Sequence, residues 1–171
     1  MNVLVAAASR YGSTAEIAQV IGDALRSRGL GITVAAPEEV KTLGEFDAFV
    51  LGSAVYLGHW LAPAVNLADR IGTEVSDRPV WLFSSGPVGD PSRKLTQQMG
   101  VDPVELPALR GTTRAREHKM FAGKLDPHHL RGLQRLGLLV FRSLVGDFRD
   151  FQGIQSWAQS IADRLLAASA T

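Results

Sequence analysis

The sequence predicts an α/β protein, a doubly wound parallel sheet of five strands in a three-layer arrangement with helices on both faces. Short apolar runs rich in β-branched residues alternate along the chain with longer segments of helical spacing, as in repeated βαβ units. The third apolar run is uniformly hydrophobic, which is typical of a central strand covered on both faces. A length of 171 residues fits a single domain of this kind over residues 1–171.

Each expected element has its own local pattern. Residues 15–28 carry apolar side chains at helical spacing and stop at Gly29, a residue that commonly ends helices. Residues 61–71 suit a helix that tolerates Pro63 in its first turn. The other expected elements are strands at residues 3–8, 31–36, 46–51, 79–83 and 119–123, a short helix at 92–99 and a closing helix at 154–168.

The turn after the first strand is rich in hydroxyl groups and ends where the first helix begins. Its sequence is Ser9-Arg10-Tyr11-Gly12-Ser13-Thr14. Unpaired N–H groups and the positive end of the helix dipole favour an anion at such a position. Because the turn has no lysine and no P-loop pattern, one phosphate held by neutral donors fits it better than a triphosphate with Mg²⁺. An ordinary helix cap is the alternative interpretation, since Ser and Thr are also preferred there.

This turn resembles the phosphate loop of flavodoxins, written S/T-x-T-G-x-T. It matches at Ser9, Gly12 and Thr14, and it departs from the pattern at Tyr11. In that family the loop binds the 5′-phosphate of FMN. The resemblance therefore implies a flavodoxin-like fold with FMN as cofactor, and the loop by itself leaves a related flavin-like cofactor open.

Two further turns follow strand ends, where the resemblance places the flavin ring. Tyr56 falls at the spacing of the aromatic residue that stacks on the ring in flavodoxins. Trp60 is expected to belong to a packing cluster at the start of the next helix. Ser84-Ser85-Gly86 would border the ring, and no aromatic residue in this turn covers the second ring face. An open face suits a substrate or a quinone.

The sequence yields a set of cofactor-binding residues and no catalytic acid or base. The residues expected to bind FMN are Ser9, Arg10, Tyr11, Gly12, Ser13, Thr14, Ala54, Val55, Tyr56, Ser84, Ser85 and Gly86. For His59, next to the expected ring, a proton-relay role and a helix-capping role are both open. No metal-ligand spacing is present, and the absence of cysteine excludes disulfides, Fe–S clusters and a thiol nucleophile.

Basic residues are concentrated in residues 110–149, which carry a net charge of +6, whereas residues 1–109 carry −4. Electron-shuttle flavodoxins are usually acidic, so the chain departs from that pattern. Within this basic block, residues 130–145 place Arg131, Arg135 and Arg142 on one helical face opposite an apolar face. This extra amphipathic helix before the closing helix either contacts a membrane surface or packs on the sheet with its arginines in water. Aromatic residues are not interleaved with the arginines, which argues against nucleic acid as a partner.

A narrower resemblance is to the menaquinone-dependent protoporphyrinogen dehydrogenase branch of the flavodoxin superfamily. Besides the order of segments, the matching residues are Gly58-His59, Ala122-Gly123 and Trp157. This resemblance implies an FMN oxidoreductase that passes electrons from a planar donor, such as a protoporphyrinogen, to a quinone or a protein acceptor. An electron-transfer flavodoxin without its own substrate and a non-redox binding domain on the same fold are the alternatives.

The N-terminus enters a strand directly, without a secretion signal, and no apolar run is long enough to span a membrane. We therefore expect a cytoplasmic protein, with residues 130–145 as the part that would contact the inner face of the membrane.

Overall fold

The computed structural model describes residues 1–86, 102–125 and 146–169. The predicted helices at 92–99 and 130–145 lie outside these residues. In chain order the elements are β1 (Asn2–Ala8), α1 (Ser13–Arg26), β2 (Gly31–Ala35), a short 3₁₀ helix (Pro37–Glu39), β3 (Ala48–Tyr56), β4 (His59–Trp60), α2 (Ala62–Glu74), β5 (Val80–Ser85), α3 (Leu106–Thr113), β6 (Glu117–Phe121), β7 (Lys124–Leu125), β8 (Gly146–Asp147) and α4 (Phe151–Ser169). The predicted α/β architecture, a parallel sheet flanked by helices, is confirmed.

The parallel strands are arranged in the order β2-β1-β3-β5-β6, and the short β4 pairs antiparallel with the end of β3. Strand β2 follows β1 in the chain and pairs with one edge of β1. Strand β3 comes later and pairs with the opposite edge of β1. Such a reversal of direction leaves a crevice at the carboxyl ends of the two strands, where open α/β sheets bind their ligands. The candidate site is therefore expected where β1 and β3 end.

The two faces of the sheet are covered by separate hydrophobic cores. On one face, side chains such as Val5 and Trp81 pack with α1 and α4. On the other face, Phe49 and Leu82 pack with α2 and α3. Each large side chain buried in this way contributes about 1.5–3 kcal/mol relative to exposure. Burial on both faces gives the strand ends a rigid support.

Gly52 shows why a glycine stands inside a central strand. The aromatic ring of Phe83, on the neighbouring β5, covers the backbone of Gly52, and a Cβ there would overlap the ring. Glycine at this position is therefore a packing requirement of the core below the site, and any larger residue would have to displace Phe83.

The predicted third strand differs most from the structure. The sequence predicts a strand at 46–51 followed by a loop, whereas β3 begins at Ala48 and continues to Tyr56. Ala54, Val55 and Tyr56 are thus the last residues of a strand, which corrects their assignment to a loop. Pairing with β5 and with the short β4 extends the strand past its turn-like Gly-Ser sequence, and such pairing depends on residues distant in the sequence.

Other boundaries shift by a few residues. Helix α1 begins at Ser13, so that Ser13 and Thr14 belong to its first turn instead of the preceding loop. Strand β5 continues to Ser85, so that Ser84 and Ser85 are strand residues. Strand β6 begins and ends two residues earlier than predicted, and β4, α3, β7, β8 and the 3₁₀ helix were not predicted from the sequence.

Candidate cofactor-binding site at the carboxyl edge of the sheet

The turn between β1 and α1 leaves the N-terminus of the helix open. Gly12 precedes the helix and has φ 87° and ψ −24°, a left-handed conformation that suits glycine. No side-chain hydrogen bond from this position caps the helix. The first N–H groups of an α-helix have no partners within the helix, so an anion or water must satisfy them when no side chain does.

Ser13 supplies a buried hydroxyl at the same place. Its Oγ is buried and has no hydrogen-bond partner among the described residues. The next residue, Thr14, is also buried. A buried polar atom without a partner destabilises the fold by about 1–3 kcal/mol, so such atoms in proteins commonly mark a place that a ligand or water completes. Together with the open helix end, Ser13 fits the phosphate group of FMN.

Arg10, Tyr11 and Tyr56 join the ends of β1 and β3. The Cζ atom of Arg10 lies 5.5 Å from the ring centroid of Tyr56 and 5.9 Å from that of Tyr11. The two tyrosine rings meet edge to face with their centroids 6.3 Å apart. Burial raises the pKa of Tyr56, and the neighbouring Tyr11 raises it further, while Arg10 partly opposes the shift. The structure thus brings together three of the predicted site residues at one rim.

Ser84, at the end of β5, belongs to a buried hydrogen-bonded chain. The indole Nε1 of Trp60 donates to Ser84 Oγ at 2.8 Å, and Ser84 Oγ lies 2.8 Å from Nε2 of His118. Because an indole N–H only donates, the serine hydroxyl is free to donate to His118. Burial lowers the pKa of His118, with Asp102 opposing and Arg110 adding to the shift. A neutral His118 that accepts from Ser84 agrees with all of these contacts.

The other two predicted residues of this strand end are also held by the protein. Ser85 is buried, and the N–H group of Gly86 donates to the carbonyl oxygen of Phe121 at 3.0 Å. Gly86 has φ 134°, a value that favours glycine. The N–H of Gly86 is therefore already bonded within the protein. Gly86 would let the flavin ring approach its backbone closely, but this N–H would not donate a hydrogen bond to the ring.

The turn after Tyr56 projects from the same edge. Leu57 is fully exposed and has φ 52°, and Gly58 follows with φ 82°. His59 Nδ1 lies 2.6 Å from Glu105 Oε1, and the backbone N–H of Trp60 donates to Glu105 Oε2 at 3.1 Å. Burial would raise the pKa of Glu105, but the hydrogen bonds from His59 and Trp60 outweigh it and lower that pKa. His59 thus ties the turn to the residue that precedes α3.

The sequence patterns missed Arg149 and the contacts of Ser84. The guanidinium of Arg149 lies next to the first turn of α1 and donates to the carboxylate of Glu16 at 2.6 Å. Arg149 is far from α1 in the sequence, as His118 is from Ser84. No local pattern signals such pairs, because only the assembled sheet brings them together.

Within residues 1–86, 102–125 and 146–169, no group of three or more acidic or histidine side chains could hold a metal ion. None of the helices in these ranges is both long enough and apolar enough to cross a membrane.

Comparisons with known proteins agree with this architecture. A family model described as a flavodoxin domain matches residues 4–149. A search of curated proteins finds no significant match. Similar solved structures include a flavodoxin from the domain Archaea, with 16% identity, a TM-score of 0.63 and coverage of 96% of this chain and 98% of that one. A flavodoxin from Streptococcus pneumoniae TIGR4 has 16% identity and a TM-score of 0.61 over 98% of this chain and 99% of that one.

A larger protein also contains this fold. The rubredoxin oxygen:oxidoreductase of Desulfovibrio gigas matches with 14% identity and a TM-score of 0.66, over 99% of this chain and 37% of that chain. The present chain therefore spans little more than a third of that protein.

Proposed function

The chain belongs to the flavodoxin domain family, and from this premise we propose that it is an oxidoreductase that passes electrons from a planar donor to a quinone or a protein acceptor. FMN is its cofactor. When bound, FMN supplies the electron transfer, while the protein supplies anchoring, orientation and electrostatics. The donor class that we propose is a porphyrinogen, as the resemblance to the protoporphyrinogen dehydrogenase branch implies.

The observation that carries this proposal is the buried Ser13 hydroxyl without a partner beside an uncapped helix end. These groups lie at the crevice between β1 and β3 and match the chemistry of a phosphate monoester, which accepts several hydrogen bonds. The residues that would hold the phosphate are Ser9, Gly12, Ser13 and Thr14. Those that would flank or border the ring are Arg10, Tyr11, Ala54, Val55, Tyr56, Ser84, Ser85 and Gly86.

The exposed rim next to Tyr56 supports a substrate with aromatic rings and carboxylates. Tyr11 is 40% exposed and Leu57 is fully exposed, and the Arg10 guanidinium lies beside both tyrosine rings. An aromatic and apolar surface with one cation suits a molecule with aromatic rings and carboxylates, such as a porphyrinogen, because a pyrrole ring packs on the aromatic side chains and a carboxylate pairs with the guanidinium. A quinone would use the apolar part of the same rim.

The charge pattern of residues 130–145 supports an acceptor in a membrane. Strands β7 and β8, which precede and follow residues 126–145 in the chain, pair with each other directly after β6 ends. The N–H of Phe148 also donates to the carbonyl of Gly123 at 3.3 Å. We propose that residues 130–145 bind an anionic membrane surface, which would place the flavin site near quinones dissolved in the lipid.

An electron carrier without its own substrate is the second candidate. It is favoured by the state of the two histidines described near the site, since His59 is bound to Glu105 and His118 is buried in the Ser84 chain. Both side chains are used in contacts within the protein, and a carrier needs no catalytic side chain.

Flavin binding and turnover test these candidates together. Apoprotein is titrated with FMN while absorbance is recorded. Without oxygen, one sample of the complex is then reduced and mixed with a soluble menaquinone analogue, and a second sample is left oxidised and mixed with protoporphyrinogen. Rapid reoxidation by the quinone and reduction by the porphyrinogen would support the oxidoreductase. A flavin that is inert towards both would leave the carrier, and no flavin binding would contradict both candidates.

A paired variant tests the phosphate site itself. Replacing both Ser9 and Thr14 by alanine should weaken FMN binding by about a hundredfold or more, because each lost hydrogen bond to a charged group is worth about 1.5–3 kcal/mol. Thr42→Ala and Ser27→Ala, on turns away from this edge, serve as controls. Unchanged FMN affinity in the paired variant would refute the assignment.

A further inference from the structure

Arg149 lies outside the phosphate-loop sequence but contacts the first turn of α1. Its side chain is only 3% exposed. Nη1 donates to Glu16 Oε2 at 2.6 Å and to the Ser13 carbonyl oxygen at 3.3 Å. Nε and Nη2 donate to the two carboxylate oxygens of Asp147 at 2.8 and 2.6 Å. The Phe151 ring covers the guanidinium, with its centroid 4.8 Å from Cζ.

These contacts require an arginine. A guanidinium forms two parallel hydrogen bonds with one carboxylate, as Arg149 does with Asp147, and still has donors for a second carboxylate and a carbonyl. The hydrogen bonds from Arg149 lower the pKa of Asp147. A buried charge is tolerated only when it is paired and hydrogen-bonded, so the surrounding groups fix the position of the guanidinium.

We propose that Arg149 is a positioning residue that makes the loop between β1 and α1 select the phosphorylated flavin. The proposal rests on the proposed function, since it takes FMN as the ligand of this loop. Two consequences of the contacts support it, one geometric and one electrostatic.

The geometric consequence concerns the peptide between Ser13 and Thr14. A trans peptide is planar, so its carbonyl and its N–H point in opposite directions. Ser13 and Thr14 begin α1, so the helix itself points the Ser13 carbonyl oxygen along its axis and the Thr14 N–H towards its open end. The hydrogen bond from Arg149 to the Ser13 carbonyl oxygen supports that orientation at one of the amides that would bind the phosphate.

The electrostatic consequence concerns Glu16. This carboxylate lies in the first turn of α1, close to the place where a phosphate with a charge of about −1.5 to −2 would bind. Arg149 pairs with Glu16 and Asp147 at once. Without Arg149, the Glu16 carboxylate would lose this partner and would repel the phosphate. Riboflavin, which has the same ring system and no phosphate, would feel little of this repulsion.

The decisive comparison is therefore between FMN and riboflavin. Apoprotein and variants are titrated with each flavin, and the change in flavin fluorescence gives the Kd. In Arg149→Gln the Kd for FMN should rise by about tenfold or more, whereas that for riboflavin should change by less than about threefold. Arg164→Gln is the matched control. Arg164 lies on α4, as Phe151 does, and pairs with Glu117 of β6, but it makes no contact with α1 that the structure records. It should change either Kd by less than about twofold.

A second variant keeps the test valid if Arg149→Gln fails to fold. The Glu16 side chain is 55% exposed, so Glu16→Gln should fold normally. Removing its charge should lower the Kd for FMN by about threefold and leave riboflavin unchanged. In the double variant, the loss caused by Arg149→Gln should become smaller than it is alone.

Two results would overturn the inference. Equal losses of FMN and riboflavin in Arg149→Gln would show a general structural role, and weaker or unchanged FMN binding in Glu16→Gln would remove the electrostatic argument. Wild-type protein that binds neither flavin would overturn the proposed function, and this inference with it. If the wild-type protein binds FMN and either of the first two results is found in the variants, the proposed function stands and only this inference is overturned.

Discussion

Ser13 and Ser84 are two serines near the carboxyl edge of one sheet whose hydroxyl groups are buried in opposite environments. Ser13 Oγ has no partner among the described residues, whereas Ser84 Oγ is bound to both Trp60 and His118. The end of β1 thus leaves polar groups for a ligand, and the end of β5 uses them within the protein. The residue type is the same, so the surrounding side chains decide which serine serves binding and which serves stability.

The largest effect is expected at Ser84. In Ser84→Ala, the Nε1 of Trp60 and the Nε2 of His118 would both lose their partner inside the core. Each unsatisfied buried group costs about 1–3 kcal/mol, so the free energy of unfolding should fall by about 2–4 kcal/mol. Urea unfolding of the apoprotein measures this. A loss below about 1 kcal/mol would show that water replaces the hydroxyl and that the two serines are alike.

Two glycines provide a matched test of the loop. Gly12 and Gly29 have φ values of 87° and 84°, and a Cβ on either would meet nothing within 4 Å. Alanine at each position should therefore destabilise the apoprotein by a similar amount, about 1–2 kcal/mol, through backbone strain alone. Only Gly12→Ala should also weaken FMN binding, because Gly12 borders the open helix end and Gly29 does not. Equal FMN affinities in both variants would contradict the assignment of the phosphate to the loop that contains Gly12.

The pH dependence of stability tests the Ser84 chain. Burial lowers the pKa of His118 in the folded state, whereas the unfolded chain has an ordinary value of about 6.5. Below about pH 6.5 the unfolded state binds more protons, so stability is lost as the pH falls towards the folded pKa. The loss attributable to His118 should therefore begin near pH 6.5 and grow as the pH falls below that value.

His118→Gln is the control, since it removes this titration while His59 and the carboxylates remain. Unfolding in urea is compared near pH 8 and pH 5.5 for both proteins. The wild type should lose more stability than the variant, and equal losses would mean that His118 is not held neutral.

The site was predictable from the sequence where its geometry is local. The strand, the turn and the start of α1 follow from residues 3–14, in which apolar run, glycine and hydroxyls are adjacent. Tyr56 was found by its spacing from the same type of strand end, although it belongs to β3 itself.

The rest could not be predicted because it depends on contacts between distant residues. The extension of β3 needs the pairing of Ala54 with Ser85, and the environment of Ser84 needs His118 from β6. Arg149 reaches α1 from the other end of the chain. A propensity or a motif describes neighbours in sequence, so it counts both Ser13 and Ser84 as cofactor-binding residues and does not show that the Ser84 hydroxyl is bound within the protein.

The smallest effects are expected at Ser13, where the same substitution should raise the stability of the apoprotein and lower its affinity for FMN. In Ser13→Ala, a buried hydroxyl without a partner is removed, so the apoprotein should gain up to about 1 kcal/mol in the free energy of unfolding. The Kd for FMN should rise by about tenfold, because the phosphate loses one hydrogen bond. Urea unfolding and FMN titration of the same preparation measure both. A loss of stability without FMN would show that Ser13 already has a partner such as water, and Ser13 would then differ from Ser84 only in which molecule satisfies it.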